Sequence, residues 1–308
     1  MARGTQRYSS CAIIVTMDLM KSTLSLQNVT KLYRNGRGIT DVSLSVAPGE
    51  SFGFLGPNGA GKTTTIRCIM NFIRPQHGTI KILDKSIRES SAGQHNFVGF
   101  IPAEPQLYPD WTGNEHVRFY QSLRGQNDVS ELMKMLGLPM DVKFHELSTG
   151  NKQKLAILLA FVGNNKLLVM DEPTKGLDPL LQQIIYELLR RYKEGGGSIF
   201  VSSHNLPEVE KICDRVGVIK EGRIVANQTM QELRSLSVHL VTILSTKPIN
   251  VDSLANAATE VLHHKGNHIL LKVHGDINPL LQTLSKHQLK DVEISHANLE
   301  ESFMEYYK

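Results

Sequence analysis

Residues Gly56 to Thr64 read Gly-Pro-Asn-Gly-Ala-Gly-Lys-Thr-Thr. Their types and spacing suit one task, gripping a polyphosphate. Gly56, four free positions, Gly61, Lys62 and Thr63 fill every required place of a phosphate-binding loop. Glycine has no Cβ, so the backbone of Gly56, Pro57, Asn58, Gly59, Ala60 and Gly61 can curl closely around an anion. Lys62 then brings an ammonium to the β- and γ-phosphates, and the Thr63 hydroxyl is offered to Mg²⁺. Thr64 closes the loop where a helix should start, with its positive dipole end facing the phosphates.

Four further groups could act on such a ligand. The run Leu167-Leu168-Val169-Met170 is apolar and ends in Asp171-Glu172. A carboxylate at a strand end can hold Mg²⁺, which assigns Asp171. Glu172, one residue on, stands where a base polarising an attacking water belongs, worth about 10²–10⁴-fold in rate. Ser148 and Gly150, in Leu147-Ser148-Thr149-Gly150-Asn151-Lys152-Gln153-Lys154, open a helix and form a second anion-binding feature. Seen alone they make a plain helix cap. Gly176-Leu177-Asp178-Pro179 follows the carboxylates and, alone, is a turn into a helix. His204 follows the run Ser198 to Ser203 and is placed to reach a γ-phosphate; a lone histidine is more often structural.

The elements that must hold these groups are legible in the hydropathy. Leu24–Val29 and Val42–Val46 alternate apolar and polar, so they read as half-buried antiparallel strands. Ser51–Leu55 is a short buried strand leading into the loop, and Thr65–Met70 the helix leaving it. Leu167–Met170 and Ser198–Ser202 are continuously apolar, as parallel strands covered on both faces are. Pro179–Glu194 reads as the crossover helix between them, stopped by Gly195-Gly196-Gly197. Val216–Ala226 is a hairpin turning at Lys220-Glu221-Gly222. Beyond Gln231 the texture changes: strands at Leu240–Leu244, Glu260–His263, His268–Val273 and Val292–Ser295 alternate with helices at Val251–Ala258 and Pro279–His287. That is a ferredoxin-like β-α-β-β-α-β order, and a last helix is expected over Leu299–Tyr307.

Bulk properties narrow the class. The 308 residues suggest two domains. A hydrophobic share of 41% with 21% charged residues is that of a packed globular protein. A net charge of +4 argues against a dedicated nucleic-acid binder. Cys11, Cys68 and Cys213 have no paired spacing, which fits a reducing compartment and no structural metal. No stretch reaches the roughly 18 apolar residues of a membrane span. Residues 1–21 read as a disordered extension.

In this order, phosphate loop, Leu147–Gln153 signature, Asp171-Glu172 strand, Gly176-Leu177-Asp178 loop and His204, the chain closely resembles the ATP-binding-cassette (ABC) ATPases from about Leu24 to Asn227. The resemblance implies a cassette over 22–230, with a mixed sheet core, an antiparallel β subdomain and a helical signature subdomain. A small α+β accessory domain would occupy 231–308. It implies Lys62, Glu172 and His204 as the catalytic set, Thr63 and Asp171 as Mg²⁺ ligands, and Tyr33 stacked on adenine. It implies a composite site: two cassettes pair head to tail, with ATP between the phosphate loop of one and the signature, with Ser148 and Gly150, of the other, and it implies Asp178 as a further nucleotide-binding residue. Two departures stand out. Thr149 and Asn151 replace a Gly and the Gln of the usual signature, here followed by Gln153, and Ala103 stands where a Gln is expected, with Glu104 and Gln106 nearby. The segments Val98–Pro105, Leu107–Pro109, Thr112–Glu115 and Leu299–Phe303 look like the ABC-2 exporter branch. That branch implies a motor on the cytoplasmic face of the membrane, docked on a separate permease of multidrug or antibiotic efflux type and paired with a second cassette, identical or not. Competing readings are a soluble family member not coupled to transport, and a regulator that binds ATP without hydrolysing it.

Overall fold

The structure, a computed structural model, describes residues 22–88, 96–235, 238–251, 254 and 259–296. The expected extension over 1–21, most of the helix expected over 251–258 and the helix expected over 299–307 lie outside these residues.

β1 (Leu24–Leu32) and β2 (Gly38–Val46) pair antiparallel. β1 is longer than its alternation suggests, because the apolar spacing changes from Leu24 and Leu26 to Val29. The chain absorbs the extra residue in a register shift between Leu26 and Val29, with Asn28 at φ 50°. The buried side then resumes at Val29. β3 (Ser51–Leu55) is buried throughout and runs into the phosphate loop. α1 (Lys62–Ile69) starts earlier than the expected Thr65, because the backbone becomes helical directly after Gly61. β4 (His77–Ile82) and β5 (Lys85–Ser86) complete an antiparallel sheet of order β2-β1-β4-β5.

The larger sheet carries the chemistry. β6 (Val98–Ile101) is followed by three helices, α2 (Gly113–Arg124), α3 (Ser130–Leu136) and α4 (Thr149–Ala160). α2 opens in the segment Thr112–Glu115 noted above, and α3 carries no pattern used there. β7 (Leu167–Asp171), α5 (Pro179–Glu194) and β8 (Ser198–Ser203) then form the expected crossover unit. α6 (Leu206–Ile212) leads to β9 (Arg215–Lys220) and β10 (Arg223–Thr229). The order is β10-β9-β3-β8-β7-β6. β6/β7, β7/β8, β8/β3 and β3/β9 are parallel. Glu221 and Gly222, at φ 49° and 77°, make the two-residue turn into β10, which the sheet's right-handed twist favours. A parallel sheet delivers every strand's C-terminal end to one edge, and β3, β7 and β8 are adjacent. The phosphate loop, Asp171-Glu172 and His204 therefore meet there. One core joins both sheets, with Phe52 and Phe200 stacked at 5.9 Å against Leu24, Leu26, Ile66 and Ile69.

The chain divides into two compact units between Val225 and Ala226. In the second, α7 (Met230–Ser235) precedes β11 (Val238–Ser245), β12 (Thr259–Lys265), β13 (His268–His274), α8 (Asn278–Leu284) and β14 (Leu289–His296). The sheet is antiparallel, ordered β12-β13-β11-β14. Leu280 and Leu284 of α8 pack on Val241, Ile243, Ile269, Leu271 and Val273. α8 stops before the expected His287, since Leu284 is its last buried residue.

Candidate active site

The loop between β3 and α1 is held open by two glycines. At Gly56 a Cβ would meet the Ile219 carbonyl oxygen at 2.5 Å. Gly61, at φ 115°, is the N-cap of α1 and makes no side-chain cap. The first-turn N–H groups of α1 are thus left for an anion. On three helices a side chain does that work: Thr112 and Glu115 form a capping box on α2, Ser148 caps α4 and Asp178 caps α5. α3, α6 and α8 also lack a side-chain cap, so it is the glycine loop ahead of α1, and not the missing cap alone, that suits its N-terminus to an anion.

A cleft of about 280 Å³ opens over this loop. Tyr33, Asn58, Gly59, Gly61, Lys62, Thr63, Thr64 and Glu172 line it, together with Asn35, Arg37 and Gly38. Tyr33 closes a tight turn, its N–H donating to the Arg37 carbonyl at 2.8 Å. The residue is 38% exposed at the rim of the cleft.

Lys62 Nζ donates to the carbonyl oxygens of Gly56 (2.7 Å) and Pro57 (3.2 Å), and lies 3.3 Å from Glu172 Oε1. Ala60, buried in the loop, accepts the N–H of Gly222 through its carbonyl. His204 Nδ1 is 3.2 Å from the same Glu172 oxygen, with the imidazole half exposed. Burial alone would raise the Glu172 carboxyl, but the charges of Lys62 and His204 outweigh it and hold the group below its ordinary value. Glu172 therefore stays an anion able to polarise water. Its backbone sits at φ 48°, a left-handed conformation that costs a non-glycine residue about 1–2 kcal/mol. Two bonds to β8 hold it there: its N–H is shared by the Ser202 carbonyl (3.1 Å) and hydroxyl (3.2 Å).

Thr63 Oγ1 donates to Asp171 Oδ2 at 2.8 Å, and Ser202 Oγ donates to Oδ1 at 2.5 Å. Paired hydroxyl and carboxylate oxygens are the hard donor set that Mg²⁺ takes, so these residues fit the ion.

The remaining expected site residues stand apart. Ser148, Gly150 and Asp178 lie outside the cleft lining. Ser148 is an exposed N-cap, accepting the Asn151 N–H at 3.3 Å. Asp178 accepts the Leu181 N–H at 2.9 Å. Within one chain both act as helix caps. Glu104 and Gln106 line a different groove, of about 650 Å³, with Phe72, Phe100, Pro102 and Tyr120.

The ABC transporter family model matches residues 39–175. The chain is 31% identical to the linearmycin resistance ATP-binding protein LnrL of Bacillus subtilis, over 91% of this chain and 97% of that protein. The chain belongs to the ABC transporter ATP-binding proteins. The bacitracin transport ATP-binding protein BcrA of Enterococcus faecalis is 34% identical over 70% of this chain and 72% of that one. Among solved structures, the ATP-binding cassette MJ0796, a dimer in a post-hydrolysis state bound to ADP and Pi, is 25% identical. It covers 67% of this chain and 98% of its own, with a TM-score of 0.61. An ATP-binding subunit of an ABC transporter reaches a TM-score of 0.66 at 29% identity, covering 69% of this chain and 92% of its own. The chain is accordingly an ABC-type ATPase, and ATP is its nucleotide. Among the described residues no helix is long and apolar enough to cross a membrane.

The cassette also holds residues that motif reading passed over. Glu208, buried on α6, accepts hydroxyl bonds from Ser203 Oγ (2.5 Å) and Thr174 Oγ1. Ser203 precedes His204 and Thr174 follows Glu172 by two, so one carboxylate ties the loops that carry His204 and Glu172. Its place four residues after His204, on the helix leaving β8, was the available signal. Gln153, buried in α4, donates to the Pro173 carbonyl at 3.2 Å and links the signature helix to the same loop.

Proposed function

We propose that this cassette is the motor of an export system, hydrolysing ATP to drive a separate ABC-2 type permease. One observation carries the reading: the complete chemistry, Lys62, Thr63, Asp171, Glu172 and His204, is gathered at one end of the sheet, whereas Ser148 and Gly150 stand outside that cleft. A second cassette supplies the missing wall. In this reading Ser148, Gly150 and Asp178 of one chain cover the triphosphate seated on Gly56 to Thr64 of another, and Tyr33 stacks on the adenine. Thr63 and Asp171 hold Mg²⁺, which when bound neutralises charge developing on the γ-phosphate. Lys62 orients the β- and γ-phosphates. Glu172 polarises the attacking water, and His204 steadies Glu172 and the γ-phosphate. Ala103 takes no part in metal binding.

The cassette spans 22–230 in this proposal and 231–308 is accessory. The groove between Phe72, Phe100, Pro102 and Tyr120 receives an intracellular segment of the permease, which places the chain on the cytoplasmic face of the membrane. Phe72, 62% exposed on the groove, supports that use, since large exposed aromatics mark interaction sites. Relatives named for linearmycin resistance and bacitracin transport favour efflux of an antibiotic.

Glu172→Gln tests the composite site. With ATP and Mg²⁺ the variant should elute as a dimer and turn over no ATP. A monomer under saturating ATP would refute the shared site. Loss of membrane co-fractionation with the co-expressed permease on Phe72→Asp, with turnover in solution unchanged, tests the docking groove.

A further inference from the structure

The sheet of the second unit has one covered and one open face. Alternation places Val241, Ile243, Ile269, Leu271 and Val273 inward, under α8. The opposite face follows from the strand register as three rows running from β12 to β14. The first is Glu260, Lys272, Leu240 and Ser295. The second is His263, Leu270, Thr242 and Glu293. The third is Lys265, His268, Leu244 and Asp291. The register shift between Val261 and His263 is what turns His263 and Lys265 to this side. Leu244 is 39% exposed, and Leu240 and Leu270 are half-buried.

Read across the second and third rows, the charge is ordered. The β12 edge is basic (His263, Lys265), the middle carries Leu270 and Leu244 beside Thr242 and His268, and the β14 edge is acidic (Glu293, Asp291). We propose that this face binds the same face of a second copy of the chain. A two-fold axis parallel to the strands, lying between two stacked sheets, reverses strand order and keeps row order. β12 of one copy then lies over β14 of the other. His263 faces Glu293 and Lys265 faces Asp291, twice each, while Leu270 faces Thr242 and Leu244 faces His268. The patch is thus self-complementary, as an isologous contact must be, and aligned sheet packing accommodates it. Turning one copy by 180° within the plane of its sheet would instead set like charges together.

The contact is modest. Four strands spaced about 4.8 Å, over five residues of about 3.4 Å, give a footprint of roughly 19 by 17 Å. That is below the ~800 Å² per partner of a standard interface. The pairing is weak and suits a contact that holds two cassettes near each other while their ATP sites are open. It needs no nucleotide, which separates it from the composite site proposed above.

The experiment is sedimentation velocity of the full chain at about 50 μM, without nucleotide and with EDTA. Wild type should show a reversible dimer. Asp291→Lys with Glu293→Lys should be monomeric, and so should His263→Glu with Lys265→Glu. Mixing the two double variants should restore a dimer, which also shows that both are folded. Adding Glu172→Gln and ATP to either double variant should still give the ATP-dependent dimer. A monomeric wild type overturns the proposal, as does a dimer that ignores both charge reversals. A wild-type monomer that dimerises once residues 297–308 are deleted assigns the face to the chain's own tail and likewise overturns it.

Discussion

Glu208 offers a direct test of how the two catalytic loops are held. Its carboxylate is only 7% exposed and accepts hydroxyl bonds from Ser203 and Thr174. Removing it by Glu208→Ala has unequal effects on the two. The Ser203 hydroxyl has a second acceptor, the Asn205 carbonyl at 3.3 Å. Thr174 Oγ1 has Glu208 as its acceptor among the described residues, and an orphaned buried hydroxyl costs about 1–3 kcal/mol. One lost methylene adds about 0.8 kcal/mol, and relief of carboxylate desolvation offsets part of this. The net loss is about 1–3 kcal/mol, or roughly 2–12 °C in melting temperature for a unit of this size. Function should change more selectively. Glu172 is strained at φ 48° and depends on its loop being pinned, and a displacement near 1 Å can cost about 10²-fold. Steady-state ATPase assays should show kcat down about 10–100-fold, with KM for ATP within about twofold. Glu208→Gln keeps the shape: its amide oxygen accepts from Thr174 and its N–H₂ donates to Ser203 Oγ. It should recover most of kcat. If Glu208→Ala leaves kcat intact, or moves KM as much as kcat, the carboxylate is a fold element and not a positioning residue.

Other outcomes follow from the same geometry. Lys62→Ala removes the ammonium held by Gly56, Pro57 and Glu172, so calorimetry should find ATP affinity reduced at least about 100-fold; wild-type turnover would refute the loop's role. Thr63→Val deletes the hydroxyl bonded to Asp171, and the Mg²⁺ concentration giving half-maximal ATPase should rise about tenfold or more; an unchanged Mg²⁺ titration would remove Thr63 from the metal site. His116 is fully buried, with Nδ1 on the Thr112 carbonyl at 2.8 Å and no partner for Nε2, and burial lowers its pKa below the ordinary 6.5. The unfolded chain then binds the proton more readily. The histidine's contribution is whole above about pH 6.5 and is lost as pH falls from there toward the folded-state value. Melting temperature should drop between pH 7.5 and 5.5, and drop less in His116→Phe; equal slopes would contradict this.

Local chemistry made the central elements readable. Ser51–Leu55 and Pro179–Glu194 have the expected bounds because buried strands and amphipathic helices announce themselves by hydropathy alone. The phosphate loop was legible because its glycines are demanded by backbone geometry, as the Cβ clash at Gly56 shows. The uncapped start of α1 depends on the same residue types. What the residue order could not supply was adjacency. Glu172 and His204 are far apart in sequence, and only the parallel neighbours β7 and β8 bring them within 3.2 Å. Glu208 had no motif, because its meaning is two hydroxyls from separate loops. The ordered charge on the second sheet depends on strand register and on one register shift, and hydropathy does not encode how strands slide against one another. Residue types therefore determined which ligand this chain can hold. The tertiary structure decided which side chains gather at that loop and which residues share the open face of the second sheet, because strand pairing acts between residues that the sequence keeps apart.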